Sequence, residues 1–215
     1  MSKKPGQVVN QKNNHWQQVY LEKSPSSVSW YQNSPDHSLT LVTKTGISQK
    51  AAILDIGCGA SVFVDKLLAE GFKDLSVLDI SAHALDLIKA RLGPSDSAKI
   101  EWHEGDITKY SFRRRYHLWH DRATFHFLTT SEDRSAYISN LKQSLLPGGH
   151  FILATFAVGG PKKCSGLATV QYDAVRISKE LGDGFYLQET IQELHKTPFD
   201  TTQLFSYFWF IKKHH

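Results

Sequence analysis

The chain has 215 residues, 40% hydrophobic and 21% charged, which is enough apolar content for a single domain with a sizeable core. No apolar run approaches the roughly 20 residues of a membrane helix and the opening "MSKKPGQVVNQKNN" lacks the apolar core of a secretory signal, so a cytoplasmic protein with no membrane partner is expected. A net charge of +4 is too mild to imply nucleic acid, and two cysteines, Cys58 and Cys164, outside any CxxC pair exclude a disulfide framework.

Residues before Ala51 show no strand pattern and include "NHWQQVYLEKSPSSVSWYQ", rich in Trp and Tyr. From Ala51 onward, strand-like bursts alternate with helix-period stretches, the pattern of parallel βαβ units. "AAILDIG" predicts the first strand, and "SVFVDKLLAEGF" a helix with Phe63 and Leu67 on one face, ended at Gly71. "LSVLDIS" predicts the second strand; the helix after it groups Leu85, Ile88 and Leu92 and stops at Gly93 and Pro94. "KIEWHEGDI" and "YHLWHDR" are the third and fourth strands, with the basic run Arg113 to Arg115 between them as a solvated turn. Ser131, followed by Glu132 and Asp133, predicts an N-cap with acid in the first turn. That helix aligns Ile138, Leu141 and Leu145, ends at "PGG", and leads into "HFILATF", apolar throughout as a strand covered on both faces should be. "ATVQYDAVRISKEL" predicts a helix, and "FYLQETIQEL" with "TTQLFSYFWFIKK" an antiparallel hairpin around "HKTPFD". His214 and His215 look like the start of an expression tag and enter no metal argument.

In "ILDIGCGAS" the first strand runs into a turn with Gly57 and Gly59 one residue apart. In a doubly wound sheet this turn lies at the switch point, where a ligand meets backbone directly. A dinucleotide fingerprint would need a third glycine where Val62 stands, and no GK[ST] follows to make a phosphate loop. The expected ligand is therefore a nucleoside without phosphate. Asp79 closes the second strand 20 residues after Gly59, where a carboxylate accepts from ribose hydroxyls. Asp106, in "EGDI", is placed to accept from an exocyclic adenine amine, with Ile107 beside the ring. Asp55, Asp79 and Asp106 at three successive strand ends suit a cationic ligand and repel polyphosphate.

In order and spacing these motifs resemble the class I S-adenosylmethionine-dependent methyltransferases. "LDIGCGAS" is similar to their first motif, "LDIS" to the acidic second, "GDI" to the third, and "LLPGGHFIL" to the helix and strand that follow, over about residues 50–156. Ser61 stands where the usual D-x-G-x-G-x-G has its last glycine. Outside this core, "HWQQVYLEKSPSSVSWYQ", "LWHDRATFHFL", "GPKKCSGLATVQYDA" and "HKTPFDTTQLFSYFWF" resemble bacterial methyltransferase-domain proteins. "DRATFHFL" is also similar to the DKGT or DRG segments of eukaryotic lysine methyltransferases and of thiopurine methyltransferases.

The resemblance implies an α/β, Rossmann-like fold: a seven-stranded doubly wound sheet with one antiparallel strand in a three-layer αβα arrangement. It implies S-adenosyl-L-methionine as cofactor, held by Asp55, Gly57, Gly59, Asp79, Ile80, Asp106, Ile107 and Asp121. The reaction implied is methyl transfer to an N, S or O nucleophile of a small molecule or a protein lysine, by a monomer or weak dimer with no nucleic-acid partner. Residues 1–50 would form an aromatic helical lid and residues 51–213 the cofactor-binding domain.

Methyl transfer is an in-line displacement from a sulfonium, so alignment and exclusion of water are the main tasks. A base, if one is used, is expected at the end of the fourth strand, where "HDRATFHF" offers Asp121 and His126. Trp30, His126, Tyr172 and His195 are the candidate acceptor contacts. Cys164 is read as a bland thiol bordering the pocket, because methyl transfer needs no covalent enzyme intermediate. No metal site is expected: His117 and His120, three apart in a strand, point to opposite faces. Trp16, Tyr20, Trp30 and Tyr31 are read as a lid over the cofactor, with pinning of a helix to the sheet edge as the other possibility. Two alternatives come from other classes. One is a non-catalytic nucleoside-binding module; the other is an NAD-dependent oxidoreductase, against which Val62 and the lack of a hydride-transfer dyad both count.

Overall fold

The computed structural model describes residues 5–214, with side chains described from residue 11; His215 lies outside the described residues. The chain opens with α1 (Pro5–Glu22) and, after a 3-10 turn, α2 (Asp36–Thr45). Ser38, Leu41 and Val42 face inward at helical spacing on α2, and Gly46 closes it in the left-handed region at φ 67°.

A seven-stranded sheet follows, built from β1 (Ala52–Ile56), β2 (Asp74–Asp79), β3 (Ile100–Glu104), β4 (Tyr116–Arg122), β5 (Leu145–Phe156), β8 (Phe185–Lys196) and β9 (Thr202–Lys212). A short hairpin, β6 (Lys163–Cys164) and β7 (Leu167–Ala168), stands apart from it. The strand order is β3-β2-β1-β4-β5-β9-β8, with β9 antiparallel to both neighbours. The expected doubly wound sheet with one antiparallel strand is present. Its order reverses between β1 and β4, so the carboxyl ends of those strands form the switch point.

The helices α3 (Phe63–Ala69), α4 (Ala82–Ser97), α5 (Ser131–Ser144) and α6 (Ala174–Leu181) cover the two faces. One core contains Phe63, Leu67, Leu85 and Ile88 together with Leu41 of α2; the other contains Tyr137, Leu141, Ile177 and Leu181. Residues of β1 and β4 alternate between them: Leu54 and Trp119 belong to the α5 side, Ile53 and Leu118 to the α3 side.

Several local expectations shift. The cap of α5 is Thr130, whose hydroxyl accepts from the Asp133 N–H at 3.1 Å, one residue before Ser131. The helix ends at Ser144, and Leu145 already pairs with Tyr116 in β5, so "PGG" lies within the strand with Gly148 at φ 72°. At Gly93 (φ 73°, ψ 172°) α4 breaks as expected, but Pro94 then opens one more turn. The helix expected over "ATVQYDAVRISKEL" begins only at Ala174, because Leu167 and Ala168 are held in the small hairpin and Tyr172 bridges Ala157. Asp173 caps that shorter helix by accepting from the Arg176 N–H at 2.8 Å. Arg113 to Arg115 form an exposed turn in which Arg114 pairs with Asp74 and Glu101. Among the described residues no helix is long and apolar enough to cross a membrane, and no cluster of metal-ligating side chains occurs.

Candidate active site at the switch point of the sheet

Beyond the carboxyl ends of β1, β2 and β4 lies a cavity of about 170 Å³, many times the ~10–15 Å³ that one water needs. Its floor is the turn after β1. The Leu78 carbonyl accepts from the N–H groups of Gly57 (2.7 Å) and Cys58 (3.2 Å), which ties the turn to β2. Gly57 and Gly59 lie at φ 61° and 54°. A Cβ at Gly57 would fall 1.8 Å from Thr124 Oγ1, and one at Gly59 would fall 2.2 Å from Tyr20 Oη. Both positions therefore need glycine twice over, for conformation and for close approach. The groups that approach them here belong to the protein itself.

Asp79 is buried at the tip of β2. Its Oδ2 accepts from the Gly59 N–H (2.7 Å) and its Oδ1 from the Ser81 N–H (2.8 Å). Burial raises its pKa from 3.8 to about 6, against the pull of those two bonds. An ionised carboxylate offers about four acceptor sites, so two remain for a ligand. Asp106 follows β3, half-buried, with Oδ1 fixed by the N–H (2.9 Å) and hydroxyl (2.8 Å) of Thr108. Ile80 and the buried Ile107 line the same cavity beside it.

Asp55 and His120 are register partners on β1 and β4, and His120 Nδ1 lies 2.6 Å from Asp55 Oδ1. The other ring nitrogen lies 2.8 Å from Ser38 Oγ, and the imidazole packs against Phe63 with ring centroids 4.0 Å apart. This network fixes a polar wall of the cavity that the sequence did not reveal. Arg122, two residues on and therefore on the same face, also lines it.

The same alternation carries Asp121 away. Its carboxylate is buried on the α5 face, where Oδ2 accepts from the Tyr137 hydroxyl (2.7 Å) and Oδ1 from the Thr124 N–H (2.9 Å) and Phe125 N–H (3.4 Å). Burial raises its pKa to about 7. Asp121 is not among the cavity-lining residues, and neither are His126, Tyr172 and His195. His126 Nδ1 accepts from the Phe156 N–H at 3.1 Å, its ring stacks on Phe156 at 4.4 Å, and burial lowers its pKa to about 3. Tyr172 packs on Phe125 at 5.4 Å in the α5-side core. His195 Nε2 lies 2.9 Å from the Ser29 carbonyl oxygen.

By contrast Asp55, Gly57, Gly59, Asp79, Ile80, Asp106 and Ile107 all border the cavity, as does Trp30. Cys164, from the small hairpin, borders it too, and burial pushes its thiol pKa up. The roof comes from the N-terminal segment. Trp16 meets Trp30 at 5.8 Å and Phe127 at 5.0 Å, both edge-on, and Tyr20 meets Trp30 at 6.4 Å. Polar contacts seat α1 on the sheet tip: Asn13 donates to the Ile80 carbonyl (2.7 Å), Gln17 Oε1 accepts from the Ser81 hydroxyl (2.8 Å), and Lys12 pairs with Asp133 (2.7 Å).

Residues 53–149 match a family model described as a methyltransferase domain. Malonyl-[acyl-carrier protein] O-methyltransferase 2 of Ilyobacter polytropus is 30% identical over 105 residues, 48% of this chain and 39% of that one. EEF1A lysine methyltransferase 2 of Danio rerio is 28% identical over 145 residues, 64% of this chain and 62% of its own. The matches thus span less than two thirds of these relatives' length. The N-methyltransferase NodS of Bradyrhizobium japonicum, solved with S-adenosyl-L-homocysteine, superposes with a TM-score of 0.68 over 93% of this chain and 100% of its own, at 20% identity. A protein solved in work on the conversion of a disulfide bond into a thioacetal group during echinomycin biosynthesis superposes with a TM-score of 0.74, over 94% and 91% of the two chains, at 15% identity. Residues 53–149 are thus similar to a methyltransferase domain, and the chain shares the Rossmann-like fold of these two solved proteins.

Proposed function

We propose that this chain binds S-adenosylmethionine at the tips of β1, β2 and β3 and transfers its methyl group to a nucleophile of a small molecule. The observation that carries this is Asp79: a buried carboxylate at the end of β2, aimed by two backbone N–H groups, bordering the cavity with acceptor capacity to spare. Two neighbouring hydroxyls are the complement such a group selects. Asp106 and Ile107 would take the base, Ile80 the ribose edge, and the turn at Gly57 and Gly59 the amino-acid portion. The bound cofactor would supply a methyl group already activated by a sulfonium.

What the chain's own residues contribute is alignment and dryness. The His120–Asp55 pair stiffens the cavity wall at the reacting end, and Trp16, Trp30 and Phe127 keep bulk water away, which strengthens every charge interaction inside. Of the expected lid over this domain, residues 1–50, the described part 5–50 would act as that lid, and residues 1–4 lie outside the described residues. Asp121 serves the site as a positioning residue: by holding the Thr124 N–H it sets the side chain that packs on Gly57. Neither Asp121 nor His126 borders the cavity, so neither serves there as a base.

Calorimetric titration with S-adenosylmethionine and S-adenosylhomocysteine, and with NAD in parallel, tests the reading. Saturable binding of the first two is expected, weakened in Asp79→Ala by about 1.5–3 kcal/mol, the worth of hydrogen bonds to a charged group. Affinity should also fall as the pH drops below about 6, where Asp79 takes up a proton and loses acceptor sites. Binding of NAD alone, or none, would overturn the assignment.

A further inference from the structure

We propose that the methyl acceptor carries a carboxylate and that Arg122 anchors it. This deepens the methyltransferase reading and rests on it. Arg122 ends β4 on the cavity side, with its side chain only 10% exposed. Two of its nitrogens are held by neutral oxygens: Nε donates to Tyr207 Oη at 3.0 Å and Nη1 to the Trp30 carbonyl at 2.9 Å. The third, Nη2, is buried with no hydrogen-bond partner. The guanidinium carbon sits 4.6 Å from the centroid of the Phe205 ring.

The acid beside it, Glu193, does not fill that gap. Its Oε2 stands 4.0 Å from Nη2 and accepts instead from the Tyr207 hydroxyl at 2.8 Å, while Oε1 accepts from Gln32 Nε2 at 3.0 Å and faces His195 Nδ1 at 3.9 Å. Arg122 is thus a buried cation whose ion pair with Glu193 is long and whose hydrogen bonds go only to uncharged groups, which leaves Nη2 a donor that a ligand anion could satisfy. A guanidinium fork matches a carboxylate in plane and spacing. Lys12, the other strong cation among the described lining residues, is already paired with Asp133, so one negative charge suits the cavity better than a dianionic phosphate. Trp30, Phe127 and Phe205 also line it and give the rest of the acceptor an apolar wall. A carboxylate clamped by a guanidinium is a poor nucleophile, so its role is orientation, with the methylated atom elsewhere on the same molecule.

The test is calorimetry on protein loaded with S-adenosylhomocysteine, using phenylacetate, its neutral amide phenylacetamide and the cation phenethylamine at one pH and ionic strength. Phenylacetate should bind at least roughly tenfold more tightly than the amide, the factor that charge-assisted hydrogen bonds supply, and the amine not at all. Arg122→Met should erase the preference for the acid while S-adenosylhomocysteine affinity stays unchanged, and Arg122→Lys should leave part of it. Equal binding of acid and amide, preference for the amine, an acid preference that survives in Arg122→Met, or no binding by any carboxylate from acetate to naphthylacetate would each overturn the proposal. The acid–amide comparison uses the unaltered chain, so it decides the matter even if the variants fold poorly. Failure of S-adenosylhomocysteine to bind would refute the methyltransferase reading, and the acceptor assignment with it; the same comparison on unloaded protein would then report only whether Arg122 binds carboxylates.

Discussion

The substitution Asp121→Asn tests whether the buried acid on β4 holds a proton for structural reasons. In the fold its pKa is raised from the ordinary 3.8 to about 7, mainly by burial, against the pull of Tyr137 and two backbone N–H groups. The native state therefore keeps the proton up to about pH 7, whereas the unfolded chain releases it near 3.8. Proton uptake by this group stabilises the fold fully below the unfolded value, and the contribution is lost as pH rises through about 7. At 1.36 kcal/mol per unit the full contribution is about 4 kcal/mol, of which roughly 3 kcal/mol appears between pH 8.5 and pH 5. Asparagine cannot titrate, and its NH2 group must face either the Tyr137 hydroxyl or the Thr124 and Phe125 N–H groups, all of which donate to Asp121. Urea denaturation followed by circular dichroism from pH 5 to 8.5 should show the variant least stable, relative to the parent, at pH 5. That deficit should shrink by about 3 kcal/mol by pH 8.5. Asp79, raised to about 6, adds a smaller slope of the same sign to both proteins and cancels in the difference. A deficit independent of pH, or one that grows with pH, would refute the argument.

Gly59→Ala should cost about 1–2 kcal/mol from its left-handed backbone alone, because φ is 54°. A further cost comes from the Cβ 2.2 Å from Tyr20 Oη; adding Tyr20→Phe leaves the nearest ring atom at 3.2 Å, so a double-mutant cycle should show favourable coupling, and strict additivity would count against the contact. Lys12→Ala removes a half-exposed pair with Asp133, worth at most about 1 kcal/mol. Hydrogen exchange across residues 11–22 should then quicken by up to about fivefold, with little change in global stability, if α1 opens as a unit; unchanged exchange would mean that the aromatic contacts and the bonds of Asn13 and Gln17 hold it without the ion pair.

The parts of the site that were legible in the sequence are those whose meaning is local. "LDIGCGAS" announces a strand and a glycine turn by itself, and Asp79 and Asp106 follow from the strand ends they occupy; all of these border the cavity. The fourth strand is different. Of its residues from Tyr116 to Arg122 only His117 is exposed, because helices cover both sides, so no polar–apolar alternation tells which side chains face which way. Asp121, chosen for its position at a strand end, shares a face with Trp119, while His120 and Arg122 share one with Asp55. The register between β1 and β4 settles that, and pairing between strands 65 residues apart is not written in either strand alone. Tyr172 and His195 show the same limit from the other side. Each lies in a segment that resembles family members, yet the bridge of Tyr172 to Ala157 and the bond of His195 to Ser29 turn both side chains into packing elements. A chemically capable residue becomes part of a site only when the strand pairing gives it the right face. Arg122 has that face, a buried charge and a hydrogen-bonding nitrogen left over, which is why the acceptor end of this cavity is best sought through it.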